Sequence, residues 1–546
     1  MSSTLFGIGL SGLKTSQIAL NTTSNNISNA YTDGYSRQVA NLSQAATGVG
    51  VGVSGVERQY QQYLNTQLNQ AQSTGSSLDT QLSQLTQIDN LLADSDAGLS
   101  PLMQEFFAGL QTVADSPADT ASRQALLGDA ETMAAQFRSM GDYLSDMGDS
   151  VESQMSTAVE QINNYADQVA KLNKQITLTE AKTGATANTL RDQRDQIVSE
   201  LGKLTNVSVA VQDGDSYNVS VAGNVLVSGE HSYSLAMVDS QEDPLRQVVA
   251  YQNGIGEPTE ISESRLTGGT LGGLVQFRKD SLEPLQNRIG QLTVSLAGAV
   301  NAQHEKGVDL NNDDGTAMFS FNDPTVASNT RNKGSAEITA TFADVVDGDD
   351  VTGFATQVTA SNYRVTYQND SYSIERLSDG RTEALAVDDS GKATFDGMQL
   401  SLTGLPDNGD SFLIKPTANA AVSLEVEITD PAKIAAGEGG GSTDNRNALT
   451  LADLQNGKIV NGDTSFSSAY AQVVSVVGNT TSIASINSES QTSLVNELTV
   501  AQQSVSGVNL DEEAANLMRY QQLYSANAQV IKTASTMFDT LLSISS

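Results

Sequence analysis

Cysteine is absent from all 546 residues, which removes disulfides, thiolate metal ligands and thiol nucleophiles together. Tryptophan is absent too, and His231 and His304 are the only histidines. Little is left for acid–base chemistry near neutral pH, although carboxylate pairs remain available. Positive charge is scarce: 29 Lys and Arg stand against 64 Asp and Glu, for a formal charge of −35. That balance disfavours nucleic acid and anionic lipid as partners; charge alone does not decide whether the chain is an enzyme. No apolar run reaches the ~18 to 20 residues of a membrane helix. The first basic residue, Lys14, lies inside the opening apolar stretch instead of ahead of it, unlike a secretory signal peptide. By these rules the protein is a soluble cytoplasmic one, or one exported by a route that removes no leader.

What the sequence does carry is helical spacing, and a chain of this length is expected to form three or four units. Near the start the spaced positions are Phe6, Leu10, Leu13, Gln17, Leu20, Ser24 and Ile27. A second stripe runs from Leu64 to Leu85 and a third from Val151 to Ile176. From Val207 the period changes to two, with Asp213-Gly214 and Gly223-Asn224 as hairpin turns. Helical spacing resumes at Leu274, and Pro284 marks a kink or boundary within it. Alternation returns from about Ser335 to Val422, with turns expected at Asn369-Asp370, Asp379-Gly380 and Asp396-Gly397. Glycine and polar content make residues 435–447 a flexible loop.

After a helical region from Phe466 to Leu498, Leu510, Ala514, Leu517, Gln521, Tyr524, Ala528, Ile531, Ser535, Phe538 and Leu542 recur at four-three intervals. A helix over 511–543 would be roughly 50 Å long. Met518, Val530, Met537 and Leu541 widen its apolar face, enough to touch more than one neighbour. Isolated helices of this kind are marginal in water, so both ends are expected to be mobile in a free monomer and to order on assembly.

The expected fold is therefore multidomain α+β: a long α-helical coiled-coil stalk formed by both chain termini, with two inserted β-rich domains. The expected division is an N-terminal axial helix and motif segment (1–45), a helical stalk domain in three parts (46–205, 263–330 and 426–505), β-rich domains at 206–262 and 331–425, and a C-terminal axial helix (506–546).

Several motifs suggest chemistry without its context. "GIGLSG", Gly7 to Gly12, has dinucleotide-loop spacing, and Asp33 follows where a ribose-binding acid would stand. Such a loop needs a strand to deliver it to a helix N-terminus, and only "MSSTLF" precedes Gly7. Small residues where one helix lies close to another backbone account better for Gly9 and Gly12. "HEKGV" at His304 has Val308 where a zinc-protease helix needs its second His, leaving His304 solvated or locally hydrogen-bonded. "DLNNDDG" offers Asp309, Asn311 and Asp313 at calcium-loop spacing, but Asp314 replaces the turn Gly and Ser320 the bidentate Glu, so a polar turn is expected. No G-x-S-x-G elbow or P-loop occurs, and no carboxylate pair stands out. Catalytic, cofactor-binding and metal-ligating residues are accordingly expected to be none.

The two ends carry a resemblance. "SNNISNAYTDGYSRQ", Ser24 to Gln38, resembles the N-terminal signature of the flagellar rod, hook and hook-associated axial proteins, in which paired asparagines precede a Thr-x-Gly-aromatic turn. Asn25, Asn26, Asn29, Thr32, Gly34 and Tyr35 fill the pattern, while Ser24 and Ser28 stand where Ala is common. Gly507 to Ile544 resembles the matching C-terminal signature, and "GYSRQ" and "NLDEEAANLMRYQQLYSA" are more similar to the hook-associated members than to the hook protein. The middle agrees in layout alone.

The resemblance implies a non-enzymatic structural protein of the bacterial flagellum, exported uncleaved through the flagellar type III channel. It would assemble outside the cell as a short helical ring joining hook to filament. Implied partners are further copies of itself, the hook protein, the second junction protein and a cytoplasmic export chaperone on the C-terminal helix. Nucleic acid and membrane insertion are not implied. The assembly interface expected on the terminal helices is Phe6, Leu10, Leu13, Leu20, Ile27, Leu510, Leu517, Tyr524, Ile531, Phe538 and Leu542. Two alternatives stay open: another axial component such as the hook protein, or a flagellar subunit whose β domains act as a surface adhesin.

Overall fold

The computed structural model describes residues 2–45, 49–92, 98–212, 214–342 and 357–545. Ten α-helices organise these residues: α1 (Ser2–Ser28), α2 (Gln62–Leu92), α3 (Leu99–Asp115), α4 (Thr120–Thr183), α5 (Asn188–Leu204), α6 (Gly269–Phe277), α7 (Glu283–His304), α8 (Arg446–Asp453), α9 (Phe466–Ser506) and α10 (Leu510–Ser545). The mixed fold class expected from the sequence is the one found: long terminal helices with β sheets between them.

Helix α4 is the longest, at 64 residues, or roughly 96 Å at ~1.5 Å per residue. Its ends are set locally. The Asp119 carboxylate accepts the Ser122 N–H at 2.9 Å, and Gly184, at φ 65°, supplies the left-handed residue that stops it. Val151, Met155, Ala158, Ile162, Val169 and Ile176 are buried along one face, as the stripe requires. That face meets α3 and α5 and joins a single apolar core reaching to α9.

The first β body stacks on α4. It comprises a four-stranded sheet, Val207–Val211, Tyr217–Val221, Asn224–Ser228 and His231–Ser232, and a three-stranded one, Ser234–Asp239, Gln247–Gln252 and Thr259–Glu260. Asn163 and Asn173 on α4 each donate to backbone carbonyls of these strands, and Val219, Val227, Leu235 and Val249 merge with the helical core. One turn departs from expectation by a residue: Ala222 (φ 51°) and Gly223 (φ 83°) form the left-handed pair, so Asn224 opens the next strand. Asp213 lies outside the described residues.

The second β body has an apolar core of its own, around Ile338, Tyr363, Val365, Ile374, Met398, Leu400, Phe412 and Ile414. Its sheets are five- and three-stranded, and Asn369-Asp370 and Asp396-Gly397 take positive φ at both positions, the type I′ geometry a two-residue hairpin needs. Between α6 and α7 the chain makes a π turn, Arg278–Leu282, immediately before Pro284. Proline has no N–H to return to the carbonyl four residues earlier, and the widened turn carries the helix past it.

Residues 435–447 are tied down, contrary to the loop reading from composition. The Asp444 carboxylate bonds to the Arg446 guanidinium and accepts the N–H groups of Glu438 and Gly440 at 2.8 Å, interactions that hold its carboxyl well below the usual range. Ala435 and Ala436 are buried under His304. That histidine is fully buried: its Nδ1–H donates to the Thr316 carbonyl at 2.6 Å and its Nε2 accepts the Ala435 N–H at 2.8 Å. Asp309 accepts the N–H groups of Asn311 and Asp313 at 2.7 and 3.0 Å, a capped polar turn.

Burial lowers the His304 pKa below its ordinary 6.5. The unfolded chain therefore binds the proton first as pH falls, and stability drops from about pH 6.5 down to the folded pKa. Melting curves between pH 7 and pH 5 should show this slope in the wild type and a shallower one in His304→Asn; equal slopes would refute it.

Candidate assembly interface

Helix α1 lies antiparallel to α10, and the α1 side of the seam between them is built from small and polar residues. On α1 the buried positions are Gly9, Gly12, Thr15, Ser16, Ala19, Thr23 and Asn26. A Cβ at Gly9 would sit 2.7 Å from Ile531 Cγ1, and one at Gly12 would collide with the Asn527 side chain. The opening "GIGLSG" is thus a helix–helix contact of the kind expected for Gly9 and Gly12. On α10 the seam runs through Glu513, Leu517, Asn527, Ile531 and Ala534, all buried or half-buried. It shares Leu517 and Ile531 with the apolar stripe, and Ala528 of that stripe is also half-buried, but Ala514 and Ser535 are exposed, and Glu513, Asn527 and Ala534 are covered beside them.

With the seam filled by small groups, the large apolar residues face elsewhere. Phe6 is 46% exposed, Leu10 41%, Met518 60% and Phe538 51%. Leu510 and Tyr524 are also exposed, while Leu13, Leu20, Ile27, Leu517 and Ile531 are half-buried. Leu541 and Leu542 lie in α10 with side chains outside the described residues.

The far end of the seam is a polar knot. Asn26 uses all of its hydrogen-bonding capacity: Nδ2 donates to the Gln38 carbonyl at 2.8 Å and to Glu513 Oε2 at 3.0 Å, and Oδ1 accepts the Gln38 N–H at 3.0 Å and the Tyr35 hydroxyl at 2.8 Å. Around it, Asn29 donates to Asn25, and Thr32 to Asn29. Gly34 turns the chain at φ 76°, where a Cβ would press on Gln196 at 2.7 Å. Burial first, and then the charges of Asp192 and Glu513, push the Tyr35 phenol up to about 12, so it stays a donor. All six motif residues, Asn25, Asn26, Asn29, Thr32, Gly34 and Tyr35, are gathered at this turn.

Arg37 completes the knot with ion pairs to Glu512 at 2.9 Å and Glu513 at 2.8 Å, and Glu513 is only 2% exposed. Sequence reasoning missed Arg37, Gln38 and Glu513, because a hydrophobic scan does not weigh polar positions. It also missed a hairpin, β1 (Gln38–Gln44) and β2 (Val51–Arg58), whose ladder slips at Asn41/Leu42. Val51, Val53 and Val56 carried a partial period-two signal, broken by Gly and Ser. This hairpin joins the terminal pair to the rest: Thr15 donates to the Val51 carbonyl at 3.2 Å, and Arg58 bonds Asp192 and Asp195 on α5 at 2.7 and 2.8 Å.

Comparison with known proteins agrees with this geometry. Residues 6–35 match the family described as "Flagella basal body rod protein", and residues 501–544 match "Flagellar basal body rod FlgEFG protein C-terminal". With the fold, these matches define a structural axial subunit of the bacterial flagellum. Residues 85–319 match the "Flagellar hook-associated protein FlgK helical domain", and residues 327–416 the "Flagellar hook-associated protein 1, D2-like domain". Flagellar hook-associated protein 1 of Escherichia coli K12 is 43% identical over 555 residues, covering 99% of this chain and 100% of that protein. The Bacillus subtilis protein of that name is 26% identical, covering 99% of this chain and 98% of that one. The structure of the flagellar hook junction protein FlgK from Burkholderia pseudomallei superposes with a TM-score of 0.74 at 30% identity, covering 81% of this chain and all of that one. The chain belongs to the flagellar hook-associated protein 1 (FlgK) family, and its place is the extracellular flagellum.

Asn26→Asp changes one atom group, yet it removes two donors and sets a carboxylate against Glu513. Local opening should become easier by about 3 kcal/mol, read as roughly 100-fold faster exchange of the Gln38 amide. Unchanged exchange would show that the knot does not hold the turn.

Proposed function

We propose that this protein joins hook to filament by assembling as a short helical ring of copies through its terminal helices. The supporting observation is the division of labour on α1 and α10: a close small-residue seam within one chain, and large apolar side chains left outward on both helices. In this reading Phe6, Leu10, Leu510, Tyr524 and Phe538, with the uncovered edges of Leu13, Leu20 and Ile27, meet neighbouring subunits, while Leu517 and Ile531 serve the seam within one chain. Each well-covered Leu or Phe contributes about 1.5–3 kcal/mol, against the cost of ordering the helices.

Residues 1–45 and 506–546 then form the axial part, the segments 46–205, 263–330 and 426–505 the stalk, and 206–262 and 331–425 the projecting bodies. The hook protein lies on one side of the ring and the second junction protein on the other. Before export, a chaperone covers the same apolar face of α10, whose exposure in a soluble chain invites association.

Phe538→Asp places a charge on the outward face without touching the seam. It should abolish incorporation, leaving hooks without filaments and flagellin in the medium, while the β bodies keep their fold. Normal filaments on cells carrying this variant would overturn the proposal. Because the seam buries little apolar surface, amides of residues 515–540 in a dilute monomer should exchange with little protection and gain it on assembly. Strong protection in the monomer would remove the coupling between assembly and order.

A further inference from the structure

The two β bodies and the helices beneath them enclose a cleft of about 1320 Å³. Outside the cleft the second body has an apolar contact of its own with α7: Val294 packs with Val358 and Ala420, and Phe321 meets Phe342 edge to face at 5.4 Å. Gln291 on α7 donates to the Val358 carbonyl at 2.7 Å. Here the chain segments entering and leaving the second body lie on the helices.

The cleft itself is bridged by ion pairs. The loop 240–246 of the first body presents Glu242 and Asp243, which pair with Arg364 and Lys415 of the second. One backbone bond crosses with them, from the Thr330 N–H to the Gln241 carbonyl at 2.8 Å. The loop itself is fixed from behind. Arg246 bonds Glu263 at 2.9 Å and Glu283 at 3.2 Å, and Arg278 bonds Glu263 at 2.6 Å and Glu152 at 3.2 Å. That network belongs wholly to the helical part and the first body, so it does not depend on where the second body sits.

The outer latching pair is of the weak kind: Arg364 and Glu242 are 34% and 37% exposed, and salt screens such pairs. The inner pair is better sheltered, with Lys415 25% and Asp243 5% exposed, so the outer pair is the one that salt loosens first. The cleft between is polar as well: Asp243 Oδ1, Arg246 Nε, Arg278 Nε and Asn362 Oδ1 line it with no hydrogen-bond partner among the described residues. The core of the second body is separate from the main core, so it can move without unfolding either.

We propose that the second β body is a hinged arm, pivoting on the Val294–Val358–Ala420 contact and latched by Glu242–Arg364 and Asp243–Lys415. Its angle on the helical part is then set by ionic strength and by charge at those four residues.

The chain has no cysteine, so thiols introduced by Ile255→Cys and Asp389→Cys, in exposed turns of the two bodies, accept a dye pair specifically. Single-molecule energy transfer on the full chain in low salt should give one distance, the latched one. In 1 M NaCl the unmutated latch should release, with a second distance taking at least a several-fold larger share of molecules. Glu242→Arg should produce the same shift in low salt, and adding Arg364→Glu should restore the latched distance. Hydrogen exchange at Val365 and Ile374 reports whether the arm stays folded throughout. A distance independent of salt, or a swapped pair that fails to restore it, overturns the hinge.

Discussion

The arrangement rests on how closely α1 can approach α10. Gly9 and Gly12 leave no side chain between the backbones, so Asn527 fits where a Cβ would stand. Close approach through small groups settles where the large ones go. Phe6, Leu10, Met518 and Phe538 cannot enter a seam this narrow and are turned outward. A wider seam, filled by leucine, would consume the apolar faces within one molecule and leave nothing for its neighbours.

The knot at Asn26 gives that seam a fixed register. Small-residue seams have few features to prevent sliding, and a buried polar contact is a well-attested way to fix pairing. Here the Asn26 amide meets Glu513, and Arg37 meets both Glu512 and Glu513. The same turn runs into the hairpin, and Arg58 carries the connection to Asp192 and Asp195. Alignment of the terminal pair is thereby passed to the helical body through ion pairs and main-chain bonds, with little apolar contact.

Legibility in the sequence followed the physics of each element. The stripes of α4 and α10 were visible because a 3.6-residue period repeats over many turns, and the hairpins at Asn369-Asp370 and Asp396-Gly397 because few residue pairs tolerate two positive φ values. The six motif positions were visible only through their resemblance to a family; their mutual bonds were not. Three features stayed hidden for stated reasons. The β1–β2 hairpin is short, rich in Gly and Ser, and slips at Asn41/Leu42. On the α10 seam Glu513 and Asn527 have no hydrophobic signal, and Ala534 falls one residue off the four-three register. Residues 435–447 owe their order to the Asp444 carboxylate and to bonds with His304, Val308 and Asn447, partners that a composition count does not see.

The second β body enters and leaves through neighbouring strands. Thr325 pairs with Lys415 in an antiparallel ladder, and Phe319 with Val426 just below it. Paired residues of adjacent strands are only about 5 Å apart. A segment with its own core and such closely spaced ends behaves as a removable module, and lineages could enlarge, exchange or discard it without re-tuning the rest of the chain. The first body, fused into the helical core through Val219, Val227 and Leu235, has no such freedom, so sequence drift should concentrate in one body and spare the other.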